Sequence, residues 1–256
     1  MRKIEFKILL LAAFLLSLSV MNGQELSMPS SQVRLSAGLS LYSPLSIEPK
    51  VGDVLITSNV APGGGIAISY YQHVGKGFGL SLGVGLNAQS YNIRLQNAVL
   101  SDGQLVVLES QGNFRFWSPA FTIPLSVEKT FEGCCLGSGF FPVVSLGLSA
   151  QRTLFSEDHI ISVFTPDQAA EMPLAFEAIM YRSEKFIMSY FAKVGVARVV
   201  TSSSNALQIN LVYNYSPASI AEGTYNYYQG SHSGEMFQKA NYLGVEFVYG
   251  FNVGGK

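Results

Sequence analysis

Between Phe78 and Ala88 the chain alternates without a break. Phe78, Leu80, Leu82, Val84, Leu86 and Ala88 are apolar, and Gly79, Ser81, Gly83, Gly85 and Asn87 between them are small or polar. A period of two marks a β-strand with two unlike faces. The polar face narrows the setting. A strand that faces bulk water carries Lys, Glu and Thr on its wet side. Gly, Ser and Asn suit a narrow packed interior instead, with the bulky apolar row turned toward lipid.

The same alternation predicts seven further strands: Gln32 to Tyr42, Gly63 to Val74, Asn113 to Phe131, Phe140 to Leu154, Pro173 to Arg182, Phe186 to Val200 and Asn241 to Val253. The connections alternate in length. Gly75 to Gly77, Gly133 to Ser138 and Ser183 to Lys185 are short; Ser43 to Pro62, Gln96 to Gly112, Phe155 to Met172 and Thr201 to Ala240 are long. Short turns on one side and long loops on the other are the habit of outer-membrane barrels, the short ones being periplasmic. The expected fold is all-β, a single eight-stranded antiparallel up-and-down transmembrane β-barrel. Ala206 to Tyr215 alternates too. Counted as a barrel strand it leads to a ten-stranded alternative; the preferred reading is a β-extension projecting from the fourth long loop.

Parity across the turns fixes faces. Pairing Val74 with Phe78 across Gly75-Lys76-Gly77 keeps the apolar rows aligned and sets Tyr71 opposite Ser81, where its ring lies over Gly79 and Gly83. A lysine on the lipid face at mid-membrane costs about 2–4 kcal/mol, so Lys193 is expected inward. Alternation then sends Arg34, His73, Glu128, Glu177, Lys193 and Glu246 to the lumen. Eight strands leave room for packed side chains rather than an open bore, and buried charges must neutralise one another. Strand closure suggests Arg34 beside Glu246.

Composition agrees with a membrane protein. Charged residues make up only 13% of the chain, against about 25% in soluble domains. A formal net charge of −1 offers no footprint for nucleic acid. Arg2, Lys3 and Lys7 precede an apolar stretch from Ile8 to Val20, so residues 1–23 read as a cleaved export signal and 24–256 as the barrel domain. The two cysteines, Cys134 and Cys135, are adjacent in a turn-like segment and cannot close a four-ligand zinc site. No metal or cofactor is expected. The expected partners are outer-membrane lipid and an envelope protein.

Two loop features carry candidate chemistry. Tyr213, Tyr215, Tyr225, Tyr227 and Tyr228 lie among Gly, Ser and Asn in the fourth long loop, a composition suited to recognition because tyrosine supplies contact area at low entropic cost. Ser231-His232-Ser233-Gly234-Glu235 holds the residue types of a hydrolytic triad. Neighbours in a flexible loop do not hold the geometry that a nucleophile, base and orienting acid need, so no catalytic residue is assigned.

The order of parts resembles the PorT-like outer-membrane β-barrel family of Bacteroidota. The resemblance rests on Phe121-Thr122-Ile123-Pro124-Leu125-Ser126-Val127 and on the aromatic closing strand from Tyr242 to Phe251. It implies a non-enzymatic structural or accessory role in the envelope, in some members support of protein secretion. The alternatives are an extracellular-loop ligand or adhesion module, a narrow solute pore and a barrel lipid hydrolase.

Overall fold

The computed structural model describes residues 30–52, 56–101, 104–131, 140–154, 159–163, 176–182, 185–200, 205–227 and 232–253. The expected leader, both cysteines, Tyr228 and Ser231 lie outside these residues. The strands are β1 (Ser31–Tyr42), β2 (Ser46–Val51), β3 (Ile56–Thr57), β4 (Ala61–Gly75), β5 (Phe78–Ser101), β6 (Gln104–Thr130), β7 (Phe140–Thr153), β8 (His159–Val163), β9 (Phe176–Arg182), β10 (Ile187–Val200), β11 (Asn205–Tyr215), β12 (Ser219–Tyr227), β13 (His232–Lys239) and β14 (Tyr242–Asn252).

Eight of them close a barrel in the order β5-β4-β1-β14-β11-β10-β7-β6, with β6 paired back onto β5. Every pairing in the ring is antiparallel. Stepping between directly opposed residues from Phe78 leads through Lys129, Val144, Val194, Leu211, Val245, Leu39 and Gly64 to Ala88, ten residues further along β5. Eight strands about 4.8 Å apart, rising about 3.3 Å per residue, must then tilt by about 40° from the barrel axis.

The two faces of this wall differ as the alternation predicts. Each ring strand exposes a large apolar side chain, among them Leu82, Ile66, Leu39, Phe247, Ile209, Tyr190, Leu146 and Leu125. The inside buries Ser, Thr, Asn and Gln, including Ser40, Thr122, Ser149, Gln151, Ser189, Gln208 and Asn214. On β6 the outward row is apolar from Val127 through Phe121 to Trp117, bounded by Lys129 below and Arg115 above. That length of tilted strand spans about 25 Å, the height of a transmembrane barrel band.

The eighth barrel strand is not the one expected. The sequence pattern puts Pro173 to Arg182 in the ring, but the structure places β9 in a second sheet, and β11 takes its position between β10 and β14. β9 has only seven residues, where a tilted spanning strand needs about 9–11. β11 also turns Leu207, Ile209, Leu211 and Tyr213 outward over an inner row of Gln208, Asn210, Val212 and Asn214. Consequently the short connection is the one between β10 and β11, residues 201–204, and not the expected Ser183 to Lys185, of which 183–184 lie outside the described residues. The first turn is also tighter than expected. Lys76 and Gly77 both take positive φ, 52° and 73°, and a bulge between His73 and Gly75 absorbs the extra residue so that His73 still faces Gly79.

The expected long loops fold instead of wandering. β5 and β6 run on past the membrane as a hairpin, pairing to Ser101 and Gln104. β2, β13, β12, β9 and β8 form a separate five-stranded sheet from the other three connections. This sheet lies against the hairpin extension and β3. Ala178, Met180, Ala221, Tyr225 and Met236 of the sheet meet Ile56, Tyr91 and Ile93 of the other layer, with Phe114 and Phe116 packed alongside. The result is a two-layer β-cap on the extracellular end of the barrel.

Candidate functional site

The lumen and the cap are the two places where the sequence concentrates chemistry. Period two and closure send Arg34 of β1 and Glu128 of β6 inward from different walls, and both are buried. They meet in a bidentate pair, Nη1 donating to Oε2 at 3.0 Å and Nη2 to Oε1 at 3.0 Å. The guanidinium also donates from Nε to Gln32 Oε1 at 2.9 Å and stacks 3.6 Å above the Tyr71 ring. This fork geometry is the strongest that arginine offers a carboxylate.

From Glu128 the contacts continue across the lumen. Gln208 Nε2 donates to Glu128 Oε2 at 3.2 Å and to Asn210 Oδ1 at 2.9 Å. Asn210 Nδ2 donates to Glu246 Oε2 at 3.0 Å, and Lys193 Nζ donates to both Glu246 oxygens at 2.9 and 2.7 Å. Two cations and two anions are thereby joined by two amides into one balanced chain. The partners differ from the sequence expectation. Glu246 sits opposite Gly38, four residues along from Arg34, so it pairs with Lys193 while Arg34 takes Glu128. Sequence reasoning misses Gln208 and Asn210 because it takes their strand for a loop extension; the alternation around Leu207 and Ile209 is the available signal.

The other lumen candidates lie apart. His73 faces inward near the periplasmic end, opposite Gly79, and its Nδ1 finds no hydrogen-bond partner among the described residues. Glu177 is not in the lumen. It belongs to β9 and is exposed on the outer face of the cap sheet, between Ser162 and Asn226. Above the charged chain is a cavity of about 100 Å³. Ser36, Ser40, Asn87, Thr122, Gln151 and Asn214 line it, and the Tyr42 and Tyr242 rings, 5.2 Å apart, stand at its outer end. Such a polar chamber suits a few ordered waters.

The loop tyrosines separate into two groups. Tyr213 and Tyr215 are on the outward face of β11, half exposed at the extracellular end of the lipid-facing wall. They belong to the barrel and not to a free loop. Tyr225 is fully buried in the cap core, because on β12 it shares a face with Ala221 and Gly223. Burial pushes its hydroxyl above the ordinary tyrosine value. The backbone of Tyr227 pairs with His232 at the end of the β12–β13 hairpin. The triad-like run does not converge. Glu235 lies beside Thr224 on the outer face and pairs with Lys50, whereas His232 falls on the opposite face of β13. Among the described residues no group of three His, Cys, Asp or Glu side chains is placed to hold a metal ion.

A closed barrel that is greasy all round outside and polar within inverts the soluble arrangement. It satisfies every ladder hydrogen bond without an edge, the condition for strands to cross lipid. The protein is an outer-membrane β-barrel. No family model matches the chain, and no curated protein matches its sequence. Among solved structures, Neisserial surface protein A is 14% identical, with a TM-score of 0.37 over 85% of this chain and 96% of that one. The N-terminal barrel domain of Pseudomonas aeruginosa OprF is also 14% identical, with a TM-score of 0.34 over 87% and 99%. A major outer membrane protein from Thermus thermophilus is 11% identical, with a TM-score of 0.41 over 86% and 99%. These likenesses are loose, and the membrane assignment rests on closure and the apolar exterior.

Proposed function

We propose that the protein is a non-enzymatic, non-conducting barrel that serves as the membrane anchor of a rigid extracellular recognition module. The observation that carries this reading is the cap core. Loops that only join strands remain solvated, whereas these bury Tyr225, Met180 and Met236 at essentially no exposure. A folded sheet holds its outer face in a fixed arrangement, so binding through it costs less ordering entropy than binding through mobile loops. The lumen supports the same reading, because the Arg34–Glu128 and Lys193–Glu246 chain crosses the route a solute would take.

The test separates anchor from module. Residues 217–240 are replaced by a short Gly-Ser linker, and the variant is compared with the wild type for heat-modifiability on a denaturing gel and for attachment of the cells to surfaces. Retained heat-modifiability with lost attachment supports the reading. Unchanged attachment, or discrete conductance steps of the wild type in a planar bilayer, overturns it.

The resemblance of the Phe121 to Val127 strand to PorT-like barrels of Bacteroidota favours a second reading, an accessory of a secretion or assembly machine. In that case crosslinking in intact cells captures a larger envelope protein, and loss of the barrel lowers export.

A further inference from the structure

The β5–β6 hairpin has two faces beyond the membrane. Its inner face gives Tyr91, Ile93, Phe114 and Phe116 to the cap core. Its outer face continues the lipid-facing wall upward along β6, whereas on β5 Ser90 and Asn92 are buried and bonded to Ser58, Asn59 and Pro62. There Trp117 stands half exposed at the top of the apolar row, an interfacial position for such a ring. Arg115 is the next outward residue on β6, and Arg94, opposed to Asn113 on β5, is its diagonal neighbour. Arg152 lies on the adjoining β7 opposite Phe121, lower on the same side.

All three arginines are exposed, and none has a carboxylate within ion-pair distance among the described residues. Arg94 has a neutral group at one side: with the Asn59 amide oriented so that its oxygen faces the guanidinium, Nη1 donates to it at 3.0 Å. The opposite surface of the cap has the other sign. The outer face of the five-stranded sheet carries Glu48, Glu177, Glu222 and Glu235 against Lys50 and, at its barrel end, Lys239. Among the described residues the cap is therefore polarised through its thickness, with its basic side continuous with the wall that meets lipid.

We propose that Arg94 and Arg115 form a docking site for the phosphate groups of an outer-leaflet lipid headgroup, with Arg152 too low on the wall to share it. The planar guanidinium fork matches phosphate oxygens two at a time. Uncompensated guanidiniums above an aromatic girdle stand at the depth where such headgroups lie. This inference concerns the hairpin wall and not the acidic sheet, so its failure leaves the recognition reading intact.

The test uses the full-length protein in neutral detergent, titrated with bisphosphorylated lipid A, with its dephosphorylated form and with inorganic phosphate. The wild type is expected to bind the phosphorylated lipid about tenfold more tightly than the dephosphorylated one. Arg94→Gln with Arg115→Gln should remove most of that difference, whereas Lys129→Gln at the opposite rim should preserve it. If the glutamine pair fails to show a heat-modifiable band, Arg94→Lys with Arg115→Lys replaces it, keeping charge and losing the fork, and an intermediate loss is expected. Equal binding of the two lipids, or wild-type affinity in the arginine variants, overturns the proposal. Displacement of the lipid by millimolar inorganic phosphate also overturns it, because the occupant is then a soluble anion.

Discussion

Arg34 and Glu128, 94 residues apart in sequence, face each other across the lumen through two parallel hydrogen bonds of 3.0 Å. Removing one partner leaves the other charge buried. Glu128→Gln should therefore destabilise the barrel by about 3 kcal/mol, read as a lower urea midpoint for loss of the heat-modifiable band. Arg34→Met with Glu128→Leu should recover much of that loss, since an apolar pair of similar volume leaves no uncompensated charge.

Tyr71 fills the space that Gly79 leaves. A Cβ on Gly79 would overlap the Tyr71 ring, and that ring also supports the Arg34 guanidinium. Gly79→Ala should cost about 1–3 kcal/mol by overpacking. Tyr71→Ala combined with Gly79→Ala should be less damaging than the sum of the two single changes, because the clash no longer exists. The check is a double-mutant cycle on barrel unfolding.

Tyr225 tests the cap separately. Tyr225→Ala should cost the cap about 3–5 kcal/mol through the cavity it opens, exposing the β12–β13 hairpin to protease on intact cells while the barrel keeps its heat shift. The Tyr225 hydroxyl has no hydrogen-bond partner among the described residues. Tyr225→Phe should therefore be neutral or mildly stabilising by the same protease assay.

The same hydroxyl sets a pH dependence. Burial holds its proton more tightly in the folded cap than in the unfolded chain. That contribution is present below the ordinary tyrosine value of about 10 and is lost as the pH rises beyond it. Protease sensitivity of the wild-type cap should increase in that alkaline range, and Tyr225→Phe should flatten the increase.

Loss of the lumen chain should open a path. Replacing Arg34, Glu128, Lys193 and Glu246 together with alanine should create small conductance steps in a planar bilayer where the wild type is expected to show none. Continued silence would mean that the cap, or the Tyr42 and Tyr242 rings, suffices to close the lumen.

Alternation along single strands is enough to read the class of this protein. It sorts Leu39, Ile66, Leu82 and Phe247 outward and Arg34, Glu128 and Lys193 inward, because successive side chains on a strand must point to opposite faces. It does not say which alternating segments belong to the ring. β9 and β11 both alternate, and only closure with a stagger of ten residues selects β11 to bridge β10 and β14. The same stagger decides that Glu246 meets Lys193 and not Arg34. Tyr225 resembles a loop tyrosine because its neighbours in sequence are small and polar. The apolar surfaces that bury it come from β5, β9 and β13, brought together only when distant hairpins stack. Local periodicity is a property of consecutive residues, whereas register, partner and burial depend on residues far away along the chain, and only the tertiary structure supplies those.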